Sequence, residues 1–205
     1  MSKLLRAVAL GPSRLGDRWR SWLWSRILGV PRLSIGANCL ILGEHHMSLG
    51  AGFRAGRGLW LEAVTRYDGH TLTPRLRVGA RFSGSDWVHV ACAFEVTIGD
   101  DVLVGSKVHI TDHNHGCYNG TAAHSPPAQP PAQRALNGEP VRIGNRVFLA
   151  DGVVVLPGAD IGPGVIVGAN SVVRGQLPAD TLCVGSPATP IKRYNPVSGT
   201  WQPLN

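Results

Sequence analysis

A period of six residues constrains this chain more than any other feature of its sequence. Starting at Ile143, every sixth residue is aliphatic: Leu149, Val155, Ile161, Val167 and Val173 follow, and five of the six are β-branched. Four residues after each come Val147, Val153, Ala159, Val165, Ser171 and Leu177, mostly small or β-branched. Gly144, Ala150, Gly162 and Gly168 directly follow four of the aliphatics. This is the hexapeptide pattern of a parallel β-helix, in which short strands end in turns and three of them close one triangular coil. The aliphatic and small positions point inward and stack on the coils above and below.

Earlier repeats are rougher. Ile35, Ile41 and Met47 keep the spacing, Leu49, Ala55 and Leu61 resume it two residues later, and Ile98, Val104 and Ile110 run cleanly again. Two interruptions stand out. Residues 62–75 (EAVTRYDGHTLTPR) break the pattern modestly, whereas residues 116–140 (GCYNGTAAHSPPAQPPAQRALNGEP) leave it altogether. A Pro-rich loop of that length inside a compact domain calls for a functional reason, and it reads as an arm that covers a site.

Length and composition fit one domain, and the repeat makes it all-β. The chain has 205 residues, 16% of them charged, with 26 glycines, so intrinsic disorder is not expected. No apolar run approaches the roughly 18 residues that a membrane span needs. The net charge of +7 favours anionic partners but lacks the basic clusters interleaved with aromatics that nucleic acid would call for, so no nucleic-acid partner is expected. Cys39, Cys92, Cys117 and Cys183 are widely spaced, as expected of reduced thiols in a cytoplasmic protein. The stretch Leu4 to Leu10, broken by Arg6 and ended by Gly11-Pro12, makes a poor signal peptide.

Residues 13–30 stand apart. Leu15, Trp19, Trp22, Leu23 and Ile27 recur at helical spacing among Arg14, Arg18, Arg20 and Arg26, which predicts an amphipathic helix. Such a helix would cap the end of the fold, or rest on anionic lipid as a peripheral membrane contact. The expected organisation is a helical cap over 1–32, the β-helix over 33–195 and a tail over 196–205, with the helix and residues 176–205 covering the open coil ends.

The repeat also sorts the histidines. The last position of each hexapeptide points outward, and His89, His109 and His115 fall there. His109 is expected one coil beyond His89 on the same face, and His115 one face further round. His113 and His115 are expected to face opposite ways, so that one of them addresses a given substrate.

Together the hexapeptide runs, the DHNHG motif at 112–116, the arm, and the ending Gly185-Ser186-Pro187-Ala188 with Ile191-Lys192-Arg193 resemble the hexapeptide acyltransferase superfamily. The likeness covers about residues 33–195 and is greatest to sugar O-acetyltransferases of bacterial surface-polysaccharide synthesis, of the colanic-acid and capsule type. That resemblance implies a left-handed β-helix, a homotrimer, and acetyl-CoA bound between subunits beside a histidine general base. Through VTIGDDVLVGSKVHITDHNHG the base falls on His115, with His113 as runner-up. It implies an oxyanion donor on a backbone N–H near Ala150 and Asp151. Phe148 stands where better-known relatives carry Trp.

The chemistry makes a matching demand. A sugar hydroxyl is a weak nucleophile, and an imidazole that removes its proton during attack on a thioester supplies roughly 100- to 10,000-fold in rate. Asp112 or His89 would orient the ring and Asn114 would hold a substrate hydroxyl. Gly162, Gly168 and Ala169 would let CoA approach the backbone, and Lys192 and Arg193 would meet its phosphates. Cys117 suggests a covalent nucleophile, but direct transfer is the expected route. No metal is required. Other readings remain: N-acetylation of an amino sugar or antibiotic, a metalloenzyme similar to gamma-type carbonic anhydrases using the histidines, or a silent scaffold.

Overall fold

The computed structural model describes residues 14–118, 120 and 124–204. The Leu4–Leu10 stretch and residues 121–123 of the arm lie outside the described residues. From Ser34 onward the chain winds into a parallel β-helix with three sheets as its faces. The first face stacks seven parallel strands, from Ser34–Ile35 through Phe148–Leu149 to Thr181–Gly185. The second stacks Leu40–Leu42, Trp60–Ala63, His89–Cys92, His109–Thr111, Val154–Val155 and Val172–Val173, and the third runs from Met47–Leu49 to Gln176–Leu177.

The six-residue period is the core. Ile143 pairs with Ile161, Leu149 with Val167 and Val155 with Val173, each one coil apart, and all six are buried. The companion positions from Val147 to Leu177 are buried too. The close stacking explains the small residues beside them: a Cβ on Gly105 would lie 2.6 Å from the Asp151 nitrogen of the next coil, so only glycine fits. At the corner between the first and second faces, Asn38, Gly58, Trp87, Lys107, Gly152 and Asn170 recur with positive φ, which reverses the chain tightly in each coil.

Both interruptions are folded excursions from this regular stack. Residues 62–75 carry a small hairpin in which Arg66–Tyr67 pairs antiparallel with His70–Thr71. The arm rises from a two-stranded ribbon, His113–His115 against Leu136–Gly138. Residues 196–205, read from sequence as a tail, contain the strand Thr200–Pro203, which pairs with Ala188–Asn195 and extends the first face antiparallel over the last coil.

The helix, α1 (Arg14–Leu28), caps the other end by a face that apolar periodicity does not pick out. Trp24 and Leu28 pack on the core, Ser21 Oγ accepts the Ile35 amide at 3.0 Å, and Arg20 donates to the Gly36 carbonyl at 2.9 Å. The first coil presents unpaired backbone groups, so the docking face has to be partly polar. Trp19, Trp22 and Ile27, three of the residues at helical spacing, are exposed at 66%, 55% and 52%.

Two substitutions separate these faces. Leu149→Ala, in a fully buried coil position, should cost about 2–5 kcal/mol in denaturant unfolding. Trp19→Ala, on the uncovered side of α1, should change stability by less than about 0.5 kcal/mol.

Candidate active site

A strand in a parallel stack repeats its outward positions from coil to coil, so side chains form ladders. On the second face Trp60, His89 and His109 occupy one such rung in three successive coils. Trp60 and His89 stack with ring centroids 4.2 Å apart, and His89 Nδ1 lies 3.1 Å from His109 Nδ1. Two residues further along each strand, Glu62, Ala91 and Thr111 form a parallel rung. These two rungs floor a cavity of about 390 Å³. Arg66 and Tyr67 of the small hairpin wall it on one side, and His113, His115 and Leu136 at the root of the arm wall it on the other.

Asp112 anchors the arm. It is fully buried; its Oδ1 accepts the Ala93 amide and His113 Nδ1, each at 2.8 Å, and its Oδ2 accepts the Phe94 amide at 2.8 Å. Its carbonyl accepts the Glu139 amide at 3.0 Å, so one residue ties the arm's departure to its return. Burial alone would raise this carboxyl, but the hydrogen bonds from His113 and the two amides outweigh it and hold the acid below its ordinary range. Cys92, buried beside Asp112, is pushed up to about 12 by burial and then by that carboxylate, and is an inert thiol.

The geometry corrects several expectations. His113 and His115 line the same cavity, with ring centroids 6.4 Å apart, because residues two apart on a strand share a face; Asn114 between them is exposed and does not line the cavity. His115 is not on a further face of the β-helix: the chain has left the coil at Asp112, and the ribbon returns His115 over the second face. Asp112 bonds His113, and His89 contacts His109 and Trp60, so neither orients His115. That place is taken by Tyr67, whose hydroxyl lies 2.8 Å from His115 Nδ1, with the rings 5.0 Å apart edge to face.

Other expected residues lie elsewhere. The Ala150 amide is committed to the Val167 carbonyl at 2.9 Å, which removes it as an oxyanion donor; Asp151 receives the Ser106 amide on Oδ1 at 2.6 Å. Gly162 and Gly168 are small for packing reasons, since a Cβ on Gly162 would lie 2.6 Å from the Ala179 nitrogen and one on Gly168 2.8 Å from a Val184 methyl. Ala169, Lys192 and Arg193 are exposed, the last two on the strand Ala188–Asn195. Cys117 does not line the cavity. Arg134 holds the arm together from inside, donating to the carbonyls of Gln129 and Pro127 and to the Tyr118 hydroxyl, which in turn donates to the His115 carbonyl. Among the described residues no cluster of three His, Cys, Asp or Glu is arranged to hold a metal ion.

Tyr67 and Trp60 are the site residues that the sequence reading missed. The signal for Tyr67 was the break at 62–75, an insertion in the coil beside the arm; Trp60 follows from placing it one rung below His89.

A comparison with known proteins matches residues 140–175 to the family described as bacterial transferase hexapeptide (six repeats). The chain is 43% identical over 164 residues to WbbJ of Escherichia coli K12, a protein named for lipopolysaccharide biosynthesis O-acetyl transfer, with 80% of each chain covered. It belongs to the hexapeptide-repeat acyltransferase family. A second relative, WcaF of the same organism, named for colanic acid biosynthesis acetyl transfer, is 34% identical over 52% of each chain. The solved structure of galactoside acetyltransferase with coenzyme A has the same fold, with a TM-score of 0.53 and 19% identity, covering 98% of this chain and 84% of that one. AntD, an N-acyltransferase from Bacillus cereus solved with dTDP and 3-hydroxybutyryl-CoA, superimposes with a TM-score of 0.63 at 20% identity, covering 80% of each chain. The architecture is therefore the left-handed β-helix of this acyltransferase family.

The floor of the cavity makes a pH prediction. Burial, then the charges of His109 and His113, lower His89 to about 4 from an ordinary 6.5, and its buried Nε2 has no hydrogen-bond partner among the described residues. His109 is lowered as well, again first by burial. As pH falls from about 6.5 toward 4 the unfolded chain binds these protons before the native one, so stability declines across that window. His89→Asn should lose less of its melting temperature between about pH 7 and pH 5 than the wild type. An equal loss in both proteins would contradict the assignment.

Proposed function

We propose that this acyltransferase moves an acetyl group from acetyl-CoA to a hydroxyl of a saccharide used in bacterial surface-polysaccharide synthesis, with His115 as general base. The observation that carries the reading is the placement of His115: it is held at the rim of a cavity floored by Trp60, His89 and His109, in a chain 43% identical to WbbJ. An aromatic and imidazole floor suits a sugar ring, and the cavity volume of about 390 Å³ suits one or two rings. His115 accepts the hydroxyl proton as that oxygen attacks the thioester carbon, and returns it to the departing thiolate. With the Ala150 amide engaged, the amide of Asp151 is the one left of the two for the developing oxyanion. The Gly168-Ala169 turn would face the CoA arm, and Lys192 and Arg193 its phosphates.

His113 is a second reading that one observation favours, because its Nδ1 is backed by buried Asp112 at 2.8 Å, a pairing able to stabilise a protonated ring. We read that pair as the anchor of the arm, since its carboxylate also binds two backbone amides.

Assembly as a homotrimer fits an uncovered stripe on the first face. Leu103, Phe148, Ile166 and Leu182 succeed one another in four coils, and Leu103 and Phe148 are 46% and 36% exposed. A continuous apolar stripe of this kind suits a self-association surface. The exposed Trp19, Trp22 and Ile27 of α1, with Arg26 lying over the Trp22 ring, suit a peripheral contact with anionic lipid. No helix among the described residues is long and apolar enough to cross a membrane.

Two experiments test this. In acetyl-CoA consumption with a panel of saccharide and amino-sugar acceptors, His115→Ala should lower kcat about 100-fold or more while His113→Ala loses less. The reverse order would move the base to His113, and turnover with amines alone would replace O-transfer by N-transfer. Phe148→Lys should yield monomers by light scattering and lose activity, whereas an active monomer would remove the intersubunit site.

A further inference from the structure

We propose that Tyr67 is a positioning residue: it fixes His115 in the Nδ1–H tautomer and links that choice to the closed position of the arm. The inference rests on the reading of His115 as the base and adds the device that makes it one.

The number of protons available fixes the tautomer. Among the described residues the Tyr67 hydroxyl has two partners, the Ala132 carbonyl of the arm at 3.0 Å and His115 Nδ1 at 2.8 Å. A phenol carries one proton, and a carbonyl can only accept. If Tyr67 gave its proton to Nδ1, two oxygens would face each other at 3.0 Å with no proton between them. With the proton on the Ala132 side, the phenol oxygen accepts Nδ1–H and both contacts are hydrogen bonds. His115 then keeps a lone pair on Nε2, the nitrogen left to meet a substrate.

The same geometry serves each step. Nε2 takes the proton of the attacking hydroxyl, the ring becomes an imidazolium whose Nδ1–H still donates to Tyr67, and that bond gains strength from the charge. Nε2–H then passes the proton to the leaving thiolate, and the ring returns to its starting tautomer.

Position in the chain makes the link to the arm. Tyr67 belongs to the hairpin inserted at 62–75, and Ala132 lies in the second insertion, within the short 3₁₀ turn Pro131–Gln133. Through the Tyr67 hydroxyl the two excursions meet at a group that also touches the base. Displacement of the arm would free the Tyr67 proton to go to Nδ1, leaving Nε2 protonated and the base disabled. Arm closure and base readiness are one event.

The test is the nitrogen-15 spectrum of histidine-labelled protein at mildly alkaline pH, where an imidazole is neutral, with the His115 signal assigned by its loss in His115→Gln. Wild type should show the Nδ1–H form, and Tyr67→Phe, which keeps the ring and removes the oxygen, should move toward the Nε2–H form that a free side chain favours. In steady-state kinetics Tyr67→Phe should lower kcat about 10-fold or more with KM for acetyl-CoA unchanged. A wild type already in the Nε2–H form overturns the proposal even if the variant does not fold, and so does a variant with an unchanged tautomer and unchanged kcat. The spectrum needs no turnover: Nδ1–H in a wild type that transfers no acyl group supports the positioning geometry and overturns the reading of His115 as an acyltransferase base.

Discussion

Coil-on-coil stacking of buried aliphatic side chains is the interaction on which this molecule depends. Each coil buries an aliphatic residue and a companion on every face, as Val147 and Leu149 are on the first and Val153 and Val155 on the second, and the parallel register that stacks Ile143 on Ile161 and Leu149 on Val167 leaves no freedom to slip by one residue without turning the core outward. A lattice this strict cannot absorb extra residues within a strand. Insertions are expelled at the corners and ends of strands, so the two that occur here, at 62–75 and 116–140, stand out from the surface and meet above the second face.

The site is a product of that expulsion. The lattice supplies a flat floor with rungs in fixed register, and the two excursions supply walls whose tips are free to carry specialised side chains. Asp112 is the joint between the two regimes. Its carboxylate binds the Ala93 and Phe94 amides of the neighbouring coil, and its carbonyl receives the returning arm. An unpaired carboxylate at such depth would be costly, and its three donors make the joint stable as an anion. His113 is held as part of the joint, whereas His115, two residues on, is held by the arm and the opposite hairpin together.

The periodic part of this structure is legible residue by residue. Six-residue spacing identifies the inward positions from Ile143 to Leu177, and the same count places His109 over His89. What the count does not reach is anything outside the lattice. The sequence does not say that residues 113–115 pair with 136–138, so counting puts His115 on the wrong face and Asn114 in the site; the two-residue alternation along a strand is what joins His113 and His115. Tyr67 is hidden because its role arises from two insertions separated by about fifty residues and joined only in space. The docking face of α1 misleads for a different reason: it satisfies the backbone edge of the first coil through Ser21 and Arg20, and apolar periodicity instead marks the residues that the fold leaves uncovered. The small residues Gly162 and Gly168 suggest a ligand in the sequence, but coil stacking already accounts for them.

The proposed chemistry puts acyl transfer at His115, over the Trp60–His89–His109 floor. A crystal structure with coenzyme A and a saccharide acceptor bound tests it most directly. An acceptor hydroxyl is expected within about 2.6–3.2 Å of His115 Nε2, with the sugar ring over the aromatic and imidazole floor and the coenzyme sulfur beside that hydroxyl. A thiol that ends at His113, or an acceptor seated away from the second face, would contradict it.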